Sequence, residues 1–182
     1  IQARLNFVLS FGVERAVDWI RLLSLIIVGV QHLQGPKAIA VEKNEAIVLC
    51  VVKDGESLVE PFIRHYLSLG FKHIFFLDNG STDNTIDLIK SFSQTTVVRS
   101  TRPFSRYAVV FKNYLIQRFG AGKWCLVADV DEFFHLPLNA GLEKSLKYLN
   151  ANGYDVVCTQ MLDMFSPSGI ALFPRHRVWT QE

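Results

Sequence analysis

Between residues 46 and 159 the chain alternates short hydrophobic runs with stretches of helical spacing, and this alternation restricts the fold more than any other feature. The runs Ala46–Val52, His73–Leu77, Thr96–Arg99, Trp124–Ala128 and Tyr154–Thr159 are rich in β-branched and aromatic residues and nearly continuous in hydrophobicity. Such runs suit strands covered on both faces. Between them, Glu56–Leu69, Thr85–Phe92, Ser105–Phe119 and Leu142–Leu149 have helical spacing, with Gly70 and Gly120 where helix C-termini favour glycine. Strand and helix in regular order predict an α/β fold, a mostly parallel sheet flanked by helices. Ligands of such sheets bind beyond the carboxyl ends of the strands, so the residues directly after each strand are where chemistry is expected.

The composition supports one domain with a sizeable core. Of 182 residues 49% are hydrophobic, with 14 Phe, 5 Tyr and 3 Trp, which excludes disorder as the main reading. Nineteen Lys and Arg against 17 Asp and Glu leave a net charge of +2. No dense basic stripe is present to neutralise a nucleic acid, so no nucleic-acid partner is expected. Cys50, Cys125 and Cys158 lie far apart in apolar runs and read as reduced core residues of a cytoplasmic protein rather than a disulfide framework or a zinc site. The chain starts at Ile1, not Met, and stops just after the apolar and basic run Phe173–Trp179, so a fragment truncated at its C-terminus is expected.

Residues 13 to 33 carry an amphipathic to apolar helix pattern, and residues 1–43 read as this helix and a polar linker preceding a domain over 44–182. The apolar stretch is about nine residues, against the roughly 20 that a membrane span needs. Two readings fit it: a helix packed on the domain, or an interfacial helix giving peripheral contact with the inner face of a membrane, with Trp19, Arg15 and Arg21 at the interface.

Three strand ends carry polar clusters: Lys53-Asp54-Gly55-Glu56, Asp78-Asn79-Gly80-Ser81-Thr82-Asp83 and Asp129-Val130-Asp131-Glu132. In the last, two carboxylates two residues apart follow an apolar strand. They repel unless a cation sits between them, and Mn²⁺ or Mg²⁺ is the natural partner, with substrate phosphates completing the coordination. A solvated acidic turn is the alternative. In the second cluster Ser81 or Asp83 reads as a helix cap, whereas Asp78 ends the strand and is free to meet a nucleotide. No phosphate loop, dinucleotide fingerprint or nucleophile elbow is present, which removes those ATPase, dehydrogenase and serine hydrolase readings.

At Ala46–Glu56, His65–Ile74, Asp78–Asp83 and Asp129-Val130-Asp131-Glu132-Phe133 the chain resembles family 2 glycosyltransferases of the GT-A fold, and within them the bacterial branch whose metal motif reads Asp-x-Asp-Glu-Phe. The resemblance covers residues 44 to about 170. It implies a hexosyltransferase-type enzyme that moves a sugar from a nucleoside diphosphate, UDP first with GDP and dTDP open, to a saccharide or lipid-linked acceptor hydroxyl with inversion, in cell-surface polysaccharide or glycoconjugate synthesis.

Carried over residue by residue, the resemblance assigns the metal to Asp131 and Asp129, with Asp129 also placed to hold the ribose. Asp78 and Asn79 match an acidic pair that contacts the nucleotide, and Lys53 and Glu56 lie in the segment that follows the nucleotide-binding strand. Arg106 and Asn113 match a basic residue and an asparagine near the nucleotide. Glu56 equally fits a first-turn carboxylate favoured by the helix dipole, and Arg106 and Lys112 equally fit solvated helix charges. His65 reads as a packing or surface residue, and His135, after Phe133-Phe134, lies near the metal motif. An inverting transfer needs a carboxylate base, for which Asp163 is the candidate. Two other readings compete: a phosphatase of the haloacid dehalogenase type, and a nucleotide-sugar-binding domain without turnover.

Overall fold

A computed structural model of the protein describes residues 19–23, 29–136 and 140–159. Its centre is a five-stranded sheet of β1 (Gln31–Gln34), β2 (Ala46–Val52), β3 (His73–Asp78), β4 (Thr95–Arg99) and β5 (Trp124–Val127), in the order β1-β4-β3-β2-β5. Strands β2 to β5 run parallel and β1 pairs antiparallel with β4. The helices are α1 (Glu56–Ser68), α2 (Thr85–Lys90), α3 (Phe104–Leu115), which continues into a π-helical turn over Ile116–Gly120, and α4 (Leu142–Ala151).

Alternation along β2 divides the core in two. Val48, Cys50 and Val52 face Val59, Phe62, Ile63 and Tyr66 of α1, together with Ile89, Leu142 and Leu146. Ile47, Leu49 and Val51 face Val110, Phe111, Tyr114 and Leu115 of α3, with Phe119 and Leu22. Every residue of β2 is buried, as a strand covered on both faces requires.

The four expected strands from β2 to β5 and all four helices form, each within two residues of the expected start, and α3 stops before Phe119 where the π-helical turn takes over. Gly70 ends α1 as expected, with φ of 94° and a bond from Phe71 N to the Tyr66 carbonyl at 3.1 Å. Gly120 serves another purpose. A Cβ there would lie 3.0 Å from Cys125 Sγ and 3.2 Å from Leu49 Cδ1, so its lack of a side chain allows close packing, and the left-handed residue is Gly122.

Three expectations are corrected. The helix expected over residues 13–33 is helical at 19–23, but Gln31–Gln34 is a strand, so the segment read as helix and linker contributes an edge to the sheet. Residues 154–159 form no strand: Tyr154, Val156 and Val157 are exposed, and β propensity without a ladder partner does not make a strand. All three cysteines are free, but only Cys50 is buried, while Cys125 is half-buried and Cys158 exposed. Among the described residues no helix is long and apolar enough to cross a membrane.

Candidate active site

The parallel strands deliver all three polar clusters to one edge of the sheet. The connection from β2 runs outward to β3 and β4, whereas β5 lies on the other side of β2, so the topology reverses between β2 and β5. A crevice at such a reversal is where open α/β sheets bind ligands. Lys53-Asp54-Gly55 leaves β2 at this point and Asp129-Val130-Asp131 follows β5. The loops touch: a Cβ on Gly55 would meet Val130 at 3.7 Å and Val52 Cγ2 at 2.9 Å, so glycine is what fits.

The loops after β2 and β3 are laced by hydrogen bonds. Asp54 takes a left-handed φ of 48°, uncommon for a residue with a side chain. Its N–H donates to Ser81 Oγ at 2.9 Å and its carboxylate accepts from Thr82 N at 2.7 Å. Gly55 N donates to Thr85 Oγ1 at 2.7 Å, Glu56 N to Asp83 Oδ2 at 3.1 Å, and Asn84 Nδ2 to Glu56 Oε1 at 2.7 Å. Asp83 thus joins two elements, accepting from Thr85 N at the start of α2 with one oxygen and from Glu56 N at the start of α1 with the other, while the N-cap position of α2 itself falls on Asn84. Burial acts to raise the pKa of its carboxyl, but the bonds from Thr85 and Glu56 together outweigh it and leave the group below its ordinary value.

Asp78 is fully buried and its carboxylate is occupied within the fold. Gly80 N and Ser81 N donate to it at 3.1 and 3.0 Å, and Arg99 Nε lies 2.8 Å from Oδ2. Asn79 is buried as well, its Nδ2 donating to the carbonyls of Ser100 and Arg102 at 2.8 and 2.9 Å. The pair therefore ties the end of β3 to the loop after β4, where Arg99, Ser100 and Thr101 line a hollow with Gly29, Val30 and Gln31.

After β5 the chain makes a tight turn. Glu132 N donates to the Asp129 carbonyl at 2.9 Å, and Glu132 Oε2 accepts from Asp129 N at 2.9 Å. Helix α1 clamps this turn from below: Tyr66 Oη donates to the Glu132 carbonyl at 2.8 Å and accepts from Phe134 N at 3.1 Å. His65 Nε2 lies 2.8 Å from the Phe134 carbonyl, with its ring edge-on to Phe133 and His135. Burial lowers the pKa of His65, with the Phe134 carbonyl acting against it and His135 adding to it. Burial also pushes the Tyr66 hydroxyl up to about 12, so it remains a donor at neutral pH.

Asp129 and Asp131 differ in their surroundings. Asp131 is exposed, with no side-chain hydrogen bond or ion pair among the described residues. Asp129 meets Lys112 of α3, whose Nζ lies 2.9 and 3.0 Å from the two carboxylate oxygens. Below them, burial pushes the Cys50 thiol well up, and the charges of Asp129, Asp131 and Glu132 add to this while Lys112 works against it. The donor set suits a hard divalent ion in its chemistry, since both groups are carboxylates and Asp131 is exposed without a side-chain partner among the described residues. Among the described residues no three His, Cys, Asp or Glu converge as a complete cage. A divalent ion would therefore draw on the two carboxylates and on water and diphosphate oxygens, as small hard cations commonly do.

Of the residues singled out by sequence, Asp129 and Asp131 stand together at the reversal point, with Lys53 exposed on the adjoining loop. Glu56 is engaged with Asn84, and Asp78 and Asn79 are buried in their loop. Arg106 and Asn113 are exposed on α3, and neither side chain has a partner among the described residues. Asp163 lies outside the described residues. Sequence reasoning read Lys112 only as a solvated helix charge and gave no site role to Tyr66, Arg99 or Thr85. Their pairing with Asp129, Glu132, Asp78 and Gly55 crosses 17 to 66 positions, and no local pattern signals it.

Paired carboxylates stand at the reversal point of a mostly parallel α/β sheet, where sheets of this class bind their ligands, beside the laced loops that follow β2 and β3. Residues 46–169, more than half of the chain, match the family described as Glycosyl transferase family 2, and the chain belongs to that family. A glycosyltransferase family 92 protein of Ricinus communis is 26% identical over 156 residues, covering 82% of this chain and 28% of the relative. A second match of the same description is 26% identical over 147 residues, covering 75% of this chain and 25% of that protein. The chain thus spans little more than a quarter of the curated relatives it matches. The mannosyltransferase PcManGT from Pyrobaculum calidifontis, solved in complex with GDP-Man and Mn²⁺, aligns over 76% of this chain and 40% of its own at 16% identity and a TM-score of 0.45.

Proposed function

We propose that the chain carries the donor half of a metal-dependent glycosyltransferase, which moves a sugar from a nucleoside diphosphate, UDP first, to an acceptor hydroxyl with inversion at the anomeric carbon. The observation that carries this reading is the Asp129–Asp131 pair at the β2/β5 reversal, within a chain of the glycosyltransferase family. Family membership also favours it over the phosphatase alternative.

Asp131 and Asp129 are the residues that would hold Mn²⁺ or Mg²⁺, which when bound supplies Lewis-acid stabilisation of charge on the departing diphosphate. Lys53, exposed just after β2, is proposed to meet the nucleotide-sugar, and Arg106 and Asn113, exposed on α3, the nucleotide. Asp78, Asn79 and Glu56 serve the nucleotide through the loop they brace. Asp163 is the proposed base: it takes the acceptor proton as the acceptor oxygen bonds to the anomeric carbon and the bond from that carbon to the diphosphate oxygen breaks. The acceptor is a saccharide or lipid-linked sugar of a cell-surface polymer or glycoconjugate, met by a cytoplasmic enzyme in peripheral contact with the inner face of the membrane.

Thermal unfolding with UDP, GDP or dTDP, with Mn²⁺, and with both tests the donor site. A ligand at 100 times its Kd adds about 2.7 kcal/mol. A shift that needs nucleotide and ion together and is lost in Asp131→Asn is expected. No shift with any of the three nucleotides overturns the reading.

A further inference from the structure

We propose that Lys112 is an internal counter-cation of Asp129 that competes with the divalent ion, so that the free chain holds its ion weakly and ion and nucleoside diphosphate bind as a cooperative pair. The proposal rests on the reading of Asp129 and Asp131 as the metal pair and adds how that pair is occupied before the donor arrives.

The geometry points to exchange rather than to a permanent bridge. Lys112 Nζ contacts both oxygens of Asp129 and so sits where an ion bound by both of them would sit. The Lys112 backbone is fixed, because Phe111, Tyr114 and Leu115 beside it are buried against the sheet. The flexible four-carbon stem is what remains to move. The pair is also open to water, with side-chain exposures of 36% and 44%, so separating it carries a small desolvation change.

Lys112 Nζ lies 2.9 and 3.0 Å from the two oxygens of Asp129, so an ion that takes both oxygens displaces the ammonium, and an ion that takes one is repelled by the ammonium on the other. A diphosphate supplies the negative charge that offsets two neighbouring cations and gives the freed ammonium a new partner. By linkage, each ligand then strengthens the other by the same factor.

Titration of the free protein with Mn²⁺, followed by the electron paramagnetic resonance signal of unbound ion, tests this in wild type, Lys112→Gln and Lys112→Arg, with and without saturating UDP. Lys112→Gln is expected to tighten Mn²⁺ binding in the absence of UDP by roughly tenfold, since a competing charge has gone. Lys112→Arg, which keeps the cation and can meet both carboxylate oxygens with its planar fork, shows no such tightening. The gain in Mn²⁺ affinity that UDP confers shrinks in Lys112→Gln. Circular dichroism of each variant confirms the native fold. Mn²⁺ binding to Lys112→Gln no tighter than to wild type, or undetectable in both, overturns the proposal. Failure of the underlying reading has a different signature: wild-type Mn²⁺ binding insensitive to UDP and to Asp131→Asn removes the metal pair itself, whatever Lys112 does.

Discussion

The amide of Asn79 donates to the carbonyls of Ser100 and Arg102, and a carboxylate there would set negative charge against two carbonyl oxygens. Where the resemblance matches an acidic pair, this loop uses one acid and one amide, each matched to its neighbours: Asp78 meets three donors and Asn79 meets two acceptors. Gly80 and Ser81 are near neighbours of Asp78, but the Arg99 guanidinium and both acceptors of Asn79 lie 21 to 23 positions away, so the local sequence does not mark that division. His73, buried at the start of β3 with Nε2 2.8 Å from Thr96 Oγ1, gives a pH prediction. Burial lowers its pKa to about 4 from 6.5, so the folded protein keeps the ring neutral where the unfolded chain protonates it. Its contribution is complete above the unfolded pKa and is lost as pH falls from about 6.5 to about 4, amounting to about 3 kcal/mol over that window. Urea unfolding from about pH 7 to about pH 4 should show this loss in wild type and a flatter profile in His73→Gln; parallel profiles would refute the assignment.

At the scale of elements, the π-helical end of α3 brings Gly120 against Cys125 and Leu49, and α1 carries Tyr66 beneath the turn that holds the acids. Strands β2 to β5 and the helices were legible because each is a local pattern: a period of hydrophobicity, a glycine at a helix end, a polar cluster after an apolar run. The strand at Gln31–Gln34 was not, since His32 and the glutamines carry no strand signal and the pairing comes from β4. Tyr154–Thr159 has the opposite character, a strand-like sequence without a ladder. Replacing Tyr66 by Phe keeps the ring and removes the hydroxyl that joins the Glu132 carbonyl to Phe134 N. It should cost about 1–2 kcal/mol in urea unfolding and speed hydrogen exchange at the Phe134 amide. Unchanged protection of that amide would show that the turn holds without α1.

For the whole molecule, one sheet separates two apolar layers that share β2 as their common wall. Substitutions in different layers, Ile47→Val on the α3 side and Ile89→Val on the α1 side, are expected to cost about 1 kcal/mol each. Their effects should add within about 0.5 kcal/mol, because the two side chains belong to separate packing clusters. Urea unfolding of the double variant checks this, and a shortfall or excess above about 1 kcal/mol would mean that the layers respond as one. The same architecture places the site: the reversal of strand order at β2 opens the sheet edge to a ligand just where Asp129 and Asp131 emerge.

From the sequence alone come the α/β alternation, the strand ends where chemistry gathers and the family resemblance, because each is written in residues close together in the chain. The tertiary structure decides which acid is engaged and which is exposed, that the loops of β2 and β3 are laced into one frame, and that Lys112 rather than Arg106 reaches Asp129. Those outcomes depend on strand order and on side chains brought together across the sheet, and a one-dimensional pattern does not contain the distances that settle them.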